Sequence, residues 1–287
     1  MKFKSFLQFT ALSNIVMLSL TIVPLGLAVF IGLHRVSYST FNKPVFVGLS
    51  NYLEVLSDPA FWDAVLWNLL IILVVVPAHI VLAFIAALLL DQVTGPIRGF
   101  YMAAMLLPMI VVPVIGTVVF KQLFDPSGLI SWFFRVVLGE RIIFNETSMK
   151  LLILIHSTWI STPFALAIFF AGLQMLPRDL IEAASIDGAN RLQQVQHIVI
   201  PQLRSLFLLN ATLAVMDLLR LFDNVFVLTR MNPIFHSDTM QTHLYRIAVT
   251  VKRLGKANAG AVLTVIIIML VLIPFLIYMY REQIEER

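Results

Sequence analysis

The sequence predicts an all-α polytopic membrane protein that crosses the bilayer six times. Three observations predict it. Of 287 residues, 60% are hydrophobic and only 13% are charged, where a soluble domain carries roughly 45–50% and about 25%. Mean hydropathy is +0.93. Six windows of mostly apolar residues reach the length of about 20 that crosses roughly 30 Å of hydrocarbon. In lipid only helices and closed barrels satisfy the backbone, and runs this long and non-alternating are helical. The same composition excludes a soluble globular enzyme, a disordered chain and a disulfide-rich secreted domain. The net charge of +4 comes from 20 Lys and Arg against 16 Asp and Glu, with no basic run. That pattern reads as charge flanking a membrane rather than a nucleic-acid surface. Cysteine is absent, which excludes thiol catalysis and cysteine-based metal sites.

The first span covers residues 13–33, after the basic Lys2 and Lys4. Its apolar core outruns the about 7–15 residues of a signal peptide and no clear small-residue cleavage site follows, so an uncleaved span is expected. The second span (66–90) and the third (100–124) are separated by a short turn at 91–96. The fourth runs over 151–175. The fifth, 206–228, is the weakest, because Asp217, Arg220 and Asp223 interrupt it. The sixth, 261–280, is the cleanest. An even number puts both termini on one side. Charge bias favours the cytoplasm only slightly. That choice places Lys2, Lys4, Arg98, Arg178, Arg191, Arg204, Arg281 and Arg287 inside, and nine cations, Arg141 among them, in the longer outside loops.

One segment, 176–201, is too polar to span and reads as two short helices. Pro177 suits a helix start, and Asp179 and Glu182 fall in the first turns, where negative charge meets the helix dipole favourably. Leu180, Ile181 and Ala184 share a face. Gly188 permits a backbone reversal that a Cβ would resist. Asn190 can cap a second helix, whose apolar positions Leu192, Val195, Ile198 and Val199 follow helical spacing. Pro201 marks the break before the fifth span. Periodicity alone fits an amphipathic connector resting on the membrane as well as a partner-docking element.

The residues of this segment resemble a known family. Glu182-Ala183-Ala184, Gly188, Ile198 and Ile200-Pro201, with three and nine residues in the two main gaps, look like the EAA signature in the cytoplasmic loop of bacterial ABC importer permeases. The run from Glu182 to Ala189, with Asp187 and Gly188 in place, is particularly similar to the carbohydrate-uptake type (maltose and glycerol-phosphate permeases). Ile200 stands where the family usually has Leu. Other segments are similar in family order: Phe46-Val-Gly-Leu-Ser-Asn-Tyr52, Leu123-Phe-Asp-Pro-Ser-Gly-Leu-Ile130, Ala171-Gly-Leu-Gln-Met-Leu-Pro177 and Phe222-Asp-Asn-Val-Phe-Val-Leu-Thr229. A departure follows, since Arg230-Met231-Asn232-Pro233 stands where the family often has a Gly-rich turn and Pro.

The resemblance implies a type I ABC importer transmembrane fold with both termini and the EAA loop in the cytoplasm. It implies a second homologous permease, two ATPase subunits seated on the loops, and an extracytoplasmic solute-binding protein. Glu182, Ala183, Ala184, Asp187, Gly188, Ala189 and Pro201 would then couple to the ATPases, which would hold ATP and Mg; no cofactor is expected in this chain. The organisation that follows is an N-terminal span with its outside segment (1–65), a core of five spans (66–280) carrying the coupling loop 176–203, and a cytoplasmic tail (281–287).

Ionisable residues at membrane depth are costly and usually face a pathway or a partner. On one helix Asp217, Arg220, Asp223 and Asn224 would point broadly the same way, at spacings that let Arg220 pair with either carboxylate. Carboxylates and amides bind sugar hydroxyls, and an arginine binds anionic groups. A purely structural ion pair is the alternative. His156, Trp159, and the polar stretch around them (Ser157, Thr158, Ser161, Thr162), with Asn68 and His79, are further candidates. Their ordinary explanation is helix packing, with a proline kink near His79. Pro108, Pro113, Pro163 and Pro274 fit kinked or broken helices. No Gly-x4-Gly-Lys-Ser/Thr phosphate loop occurs, so ATP hydrolysis is expected in a separate subunit. Neither a nucleophile elbow nor a His-Glu-x-x-His helix occurs. Two rivals stay open: the same fold importing another small solute (glycerol-phosphate-like, sulfonated or amino-acid-like), and a membrane-embedded enzyme using the intramembrane aspartates.

Overall fold

A long apolar run has no internal reason to stop, whereas proline and charge free backbone groups that must find new partners. Within the apolar windows the breaks fall before Pro113 and at the charged stretch 220–223, while the other prolines lie inside continuous helices. The computed structural model describes residues 3–111, 113–139 and 144–285; Lys2, Arg141 and Arg287 of the charge bias, and the last two residues of the 281–287 tail, lie outside them. In chain order the elements are α1 (Phe3–Gly32), a two-strand hairpin of β1 (His34–Arg35) and β2 (Val45–Phe46), α2 (Ser50–Leu56), α3 (Pro59–Gln92), α4 (Ile97–Ile110), α5 (Pro113–Phe124), α6 (Leu129–Val137) and α7 (Glu146–Met175). Then come the short helices α8 (Arg178–Ile186), α9 (Arg191–Gln194) and α10 (Ile200–Gln202), followed by α11 (Arg204–Leu219), α12 (Asp223–Thr229), α13 (Met240–Tyr245) and α14 (Leu254–Glu285).

Among the described residues four helices are long and apolar enough to cross a bilayer, and up to six spans result if each of two bent pairs counts as one. The first, second, fourth and sixth windows are continuous helices that pass through Pro24, Pro77, Pro163 and Pro274. The third and fifth are not. The third divides into α4 and α5, with Pro113 opening the second piece. The single helix expected over 206–228 is corrected: α11 ends at Leu219 and α12 starts at Asp223. The physical reason is the partners at hand. Asn68 Nδ2 donates to the Leu218 carbonyl at 2.9 Å and Thr239 Oγ1 to that of Leu221 at 2.7 Å, so carbonyls released by the break are satisfied by neighbouring side chains.

The contacts form two units. One joins the N-terminal segment, up to Asp63, with Met240–Met269; the other joins Ala64–Thr239 with the chain from Leu270 onward. In the first, Asn51 is buried and its amide donates to the carbonyls of Gly32 (2.8 Å) and His34 (3.0 Å), closing the end of α1. A Cβ on Gly255 would sit 2.2 Å from the His34 carbonyl oxygen, so only glycine lets α14 lie this close. Charge completes the corner: Arg253 grips both carboxylate oxygens of Glu54, the second at 2.6 Å, and Lys256 reaches Asp58 at 2.8 Å.

The second unit has two apolar clusters strung along α3 and α7. One gathers Trp67, Ile71 and Val75 with Phe120, Met149, Leu152 and Ile153, and with Leu218, Leu221, Val225 and Leu228. The other gathers Phe84, Ala87, Leu90, Leu166, Phe169 and Leu173 with Val199 and Leu203. The broken fifth span therefore lies against the first cluster, and the end of the two-helix segment lies against the second.

Candidate functional site

The break after Leu219 makes a site. Around it lies a cavity of about 320 Å³ bordered by α3, α7, α11 and the start of α12, with Pro113 at one edge. Asp217, Arg220, Asp223 and Asn224 all border it, although they do not share one helix. Arg220 caps the end of α11 and its guanidinium donates to Asp217 Oδ1 at 3.0 Å, with both side chains mostly exposed. Asp223 opens α12, where its charge meets the helix N-terminus favourably. Asn224 Oδ1 accepts from Thr117 Oγ1 at 3.0 Å, which ties α12 to α5.

The other two expected residues are placed elsewhere. His156 is fully buried, its ring 4.8 Å from that of Phe120 and 5.9 Å from that of Trp159. Trp159 stacks on Phe120 and borders a separate apolar groove with Val74, Leu82, Met105 and Leu154. Both therefore belong to an aromatic cluster rather than to the wall of the polar cavity. His79, expected as a satisfied helix-interior histidine, does hydrogen-bond the Val75 carbonyl at 2.9 Å, yet it also borders the cavity. So do Ser157 and Asn210. Sequence reasoning passed over Asn210; the available signal was a lone amide within an apolar helix.

The turn that departs from the family's Gly-rich pattern adopts a glycine-like backbone without glycine. Arg230 and Met231 both adopt left-handed φ, 51° and 56°. Lys121 Nζ donates to the Val227 carbonyl at 3.1 Å, near the end of α12.

The second site is the two-helix segment. Helix α8 carries Glu182, Ala183 and Ala184, with Glu182 exposed. Asp187 closes it, Gly188 turns the chain at φ 85°, and Ala189 N donates back to the Ala184 carbonyl at 2.9 Å. This is the left-handed helix ending that glycine favours. Asn190 caps α9 in a reciprocal pair with Gln193, at 3.0 and 2.8 Å. The buried Gln194 amide donates to Ser185 Oγ at 2.9 Å and to the Ala189 carbonyl at 3.1 Å, stapling one short helix to the other. Residues 195–199 then form a wide π turn before α10, which contains Pro201. The stretch Arg191–Gln202 meets α11 at 67°. Val199 is buried and Val195 and Ile198 are partly so, but Leu192, expected on that apolar face, is 65% exposed, and Ile186 is 86% exposed. A hollow bordered by Ala184, Asp187, Gly188, Ala189 and His197 lies between the two helices. The segment therefore presents exposed carboxylates, exposed apolar side chains and a hollow.

Comparisons with known proteins agree with one another. Residues 41–283 match the family described as binding-protein-dependent transport system inner membrane component. The chain is similar to the trehalose/maltose transport system permease protein MalF of Thermococcus litoralis, with 31% identity over 268 residues, covering 92% of this chain and 88% of the relative. Its fold is similar to a chain in the crystal structure of a bacterial ABC transporter that imports the acidic polysaccharide alginate, with TM-score 0.80, 17% identity and coverage of 97% and 96%. It is also similar to a chain of the bacterial alginate transporter in complex with an alginate pentasaccharide-bound periplasmic protein, with TM-score 0.76, 16% identity and coverage of 95% and 93%.

Proposed function

Because the chain belongs to the family of binding-protein-dependent transport system inner membrane components, we propose that it forms half of the translocation pathway of an ATP-driven sugar importer in a bacterial cytoplasmic membrane. It is a multi-pass transporter subunit, not an enzyme. That membership leaves no place for the intramembrane-enzyme alternative. A second, homologous permease completes the pathway, and a solute-binding protein delivers substrate from outside. Two ATPase subunits, which hold ATP and Mg, bind the loops at 176–203. Both termini and this loop face the cytoplasm.

One observation carries the mechanism. The two-helix segment runs through α10 directly into α11, whose broken end walls the polar cavity. Force applied at Glu182, Ala183, Ala184, Asp187, Gly188 and Ala189 by an ATPase would pass through Gln194 and Pro201 into α11. It would emerge where Asp217, Arg220, Asp223 and Asn224 meet the substrate. Val199 and Leu203 pack with α3 and α7, so the lever has a fulcrum. Sugar as substrate is supported by the similarity to a trehalose/maltose permease and by a wall of carboxylates, amides and hydroxyls suited to hydroxyl groups.

The test is purification of the complex through a tag on this chain. A second permease and an ATPase are expected to co-purify, and the cognate binding protein is expected to retain a sugar identifiable by mass spectrometry. Isolation of this chain without any ATPase, or a binding protein loaded with an amino acid, overturns the assignment.

A further inference from the structure

One helix turns its apolar face away from the protein. In α6, Leu129, Trp132, Phe133, Val136 and Val137 recur at i, i+3, i+4, i+7 and i+8, a single apolar stripe. A helix ordinarily buries such a stripe, yet all five residues are between 50% and 67% exposed. Ser131, on the opposite side, is buried, and its hydroxyl donates to the Phe124 carbonyl at 2.8 Å. That bond satisfies a carbonyl at the end of α5 and fixes how α6 is rolled. The turn leading into α6 is equally constrained. Asp125 Oδ1 accepts from Ser127 Oγ at 2.8 Å, and Gly128 N donates to the Asp125 carbonyl at 2.7 Å. A Cβ on Gly128 would lie 2.1 Å from the Gln122 carbonyl oxygen and 2.5 Å from that of Leu123, so only glycine allows the reversal. The backbone therefore holds the stripe outward.

The level of α6 decides what covers the stripe. Helix α5 closes the third apolar window, so Phe124 lies where that window leaves the hydrocarbon. Only residues 125–128 separate it from α6. Beyond α6 the chain returns to the same level, because Phe124 and Phe144 pack against one apolar cluster before α7 begins. A helix tied at both ends to the bilayer edge stays close to that edge. We propose that α6 is an interfacial helix lying in the headgroup layer, with its stripe sunk among the upper acyl chains. Its composition fits lipid. Trp132 is an aromatic of the kind that settles at the membrane–water boundary. The exposed Arg135 falls on the Ser131 side, away from the stripe, where its guanidinium reaches phosphates and water. The exposed Val114, Ile115, Val118 and Val119 of α5 give the span leading to α6 an apolar outer side of its own. The anchor also steadies the cavity wall, since α5 carries Thr117 and Lys121, whose bonds to Asn224 and the Val227 carbonyl hold α12. This role goes beyond the importer reading. It requires a bilayer around the third span and no particular substrate.

The chain has no cysteine, so an introduced cysteine carries the only label on this subunit, and the unsubstituted complex, treated alike, gives the background from its partners. The complex is placed in nanodiscs of phosphatidylethanolamine and phosphatidylglycerol and spin-labelled at Phe133→Cys, Val136→Cys or Arg135→Cys. Collision of the label with oxygen, which concentrates among acyl chains, is compared with collision with a nickel chelate, which stays in water. At 133 and 136 the oxygen rate is expected to exceed the nickel rate severalfold, and at 135 the order is expected to reverse. Labels at 133 and 136 shielded from both reagents overturn the proposal, because another protein then covers the stripe. Labels reached better by nickel overturn it as well, because the stripe then faces water. If either stripe variant does not assemble, Leu129→Cys and Val137→Cys are read in its place. A binding protein loaded with an amino acid would overturn the sugar assignment and leave these ratios as they are, so the two readings fall separately.

Discussion

At Arg230 the backbone pays for a missing glycine. Its φ of 51° closes α12 in the left-handed region, where a residue with a Cβ is strained by roughly 1–2 kcal/mol. Arg230→Gly should therefore stabilise the chain by about 1 kcal/mol, read as a rise in Tm of the purified complex; a fall would show that the side chain holds the turn. The sequence showed the departure from a Gly-rich turn but not that the turn geometry survives it. A second residue sets an acid limit. The Arg253 hydrogen bond holds the Glu54 carboxyl below its ordinary value; burial opposes it, and the charges of Arg253 and Lys256 add to the lowering. Its folded pKa is depressed, so the stabilisation is present above the ordinary value of 4.5 and is lost as pH falls through the folded one. Tm measured from about pH 6 to about pH 3 should drop in wild type, and Glu54→Gln should start lower and lose less across that range; parallel curves would dismiss the clamp. Local signals such as Gly188 and the Asn190 cap were legible because they act on adjacent backbone. Gln194 and Asn210 were not, because what matters about them lies across a turn or on a facing helix.

Among elements, α3 shows what hydropathy hides. Nearly every residue is apolar, so no amphipathic face marks its inner side. Most of its buried positions nevertheless form one helical stripe: Phe61, Ala64, Asn68, Ile71, Val75, His79, Ala83, Ala87 and Leu90. Small and polar residues mark helix contacts in membranes, so Ala64, Asn68, His79 and Ala83 were the readable clue. The two broken spans were half legible. Proline announced the first break, but the second was read as one helix, because the charges that weaken it also fit a regular stripe. Gly172 is a further case. It was seen only as part of a resemblance, yet a Cβ there would lie 2.3 Å from Leu206 Cδ1 and 3.0 Å from Leu203 Cδ2, where α7 packs against the start of the fifth span. Gly172→Val is expected to cost about 1–3 kcal/mol, visible as a lower Tm and reduced yield of the complex. Wild-type stability would mean the two leucines swing aside freely.

For the whole molecule, the helical, multi-span character was legible from length and pattern and the importer fold from the EAA resemblance, with which a TM-score of 0.80 to an importer chain at 17% identity agrees. Orientation was not, because cations are spread almost evenly over both sides. The coupling role is the consequence to test at this scale. If the loop couples as proposed, Glu182→Ala should leave the complex assembled while transport-linked ATP hydrolysis falls about tenfold, the size of one charged hydrogen bond; unchanged hydrolysis and uptake would remove Glu182 from the proposed lever. The corner that binds Arg253 to Glu54 has one more implication. The two residues lie 199 positions apart, so a ribosome adding about 5–20 residues per second needs roughly 10–40 s to supply the partner. During that interval the first span sits in the bilayer without the helix that completes its unit. The order of synthesis thus leaves Glu54 waiting for a partner made 199 positions later, and a chain stopped before residue 240 would lack the helix that completes the first unit.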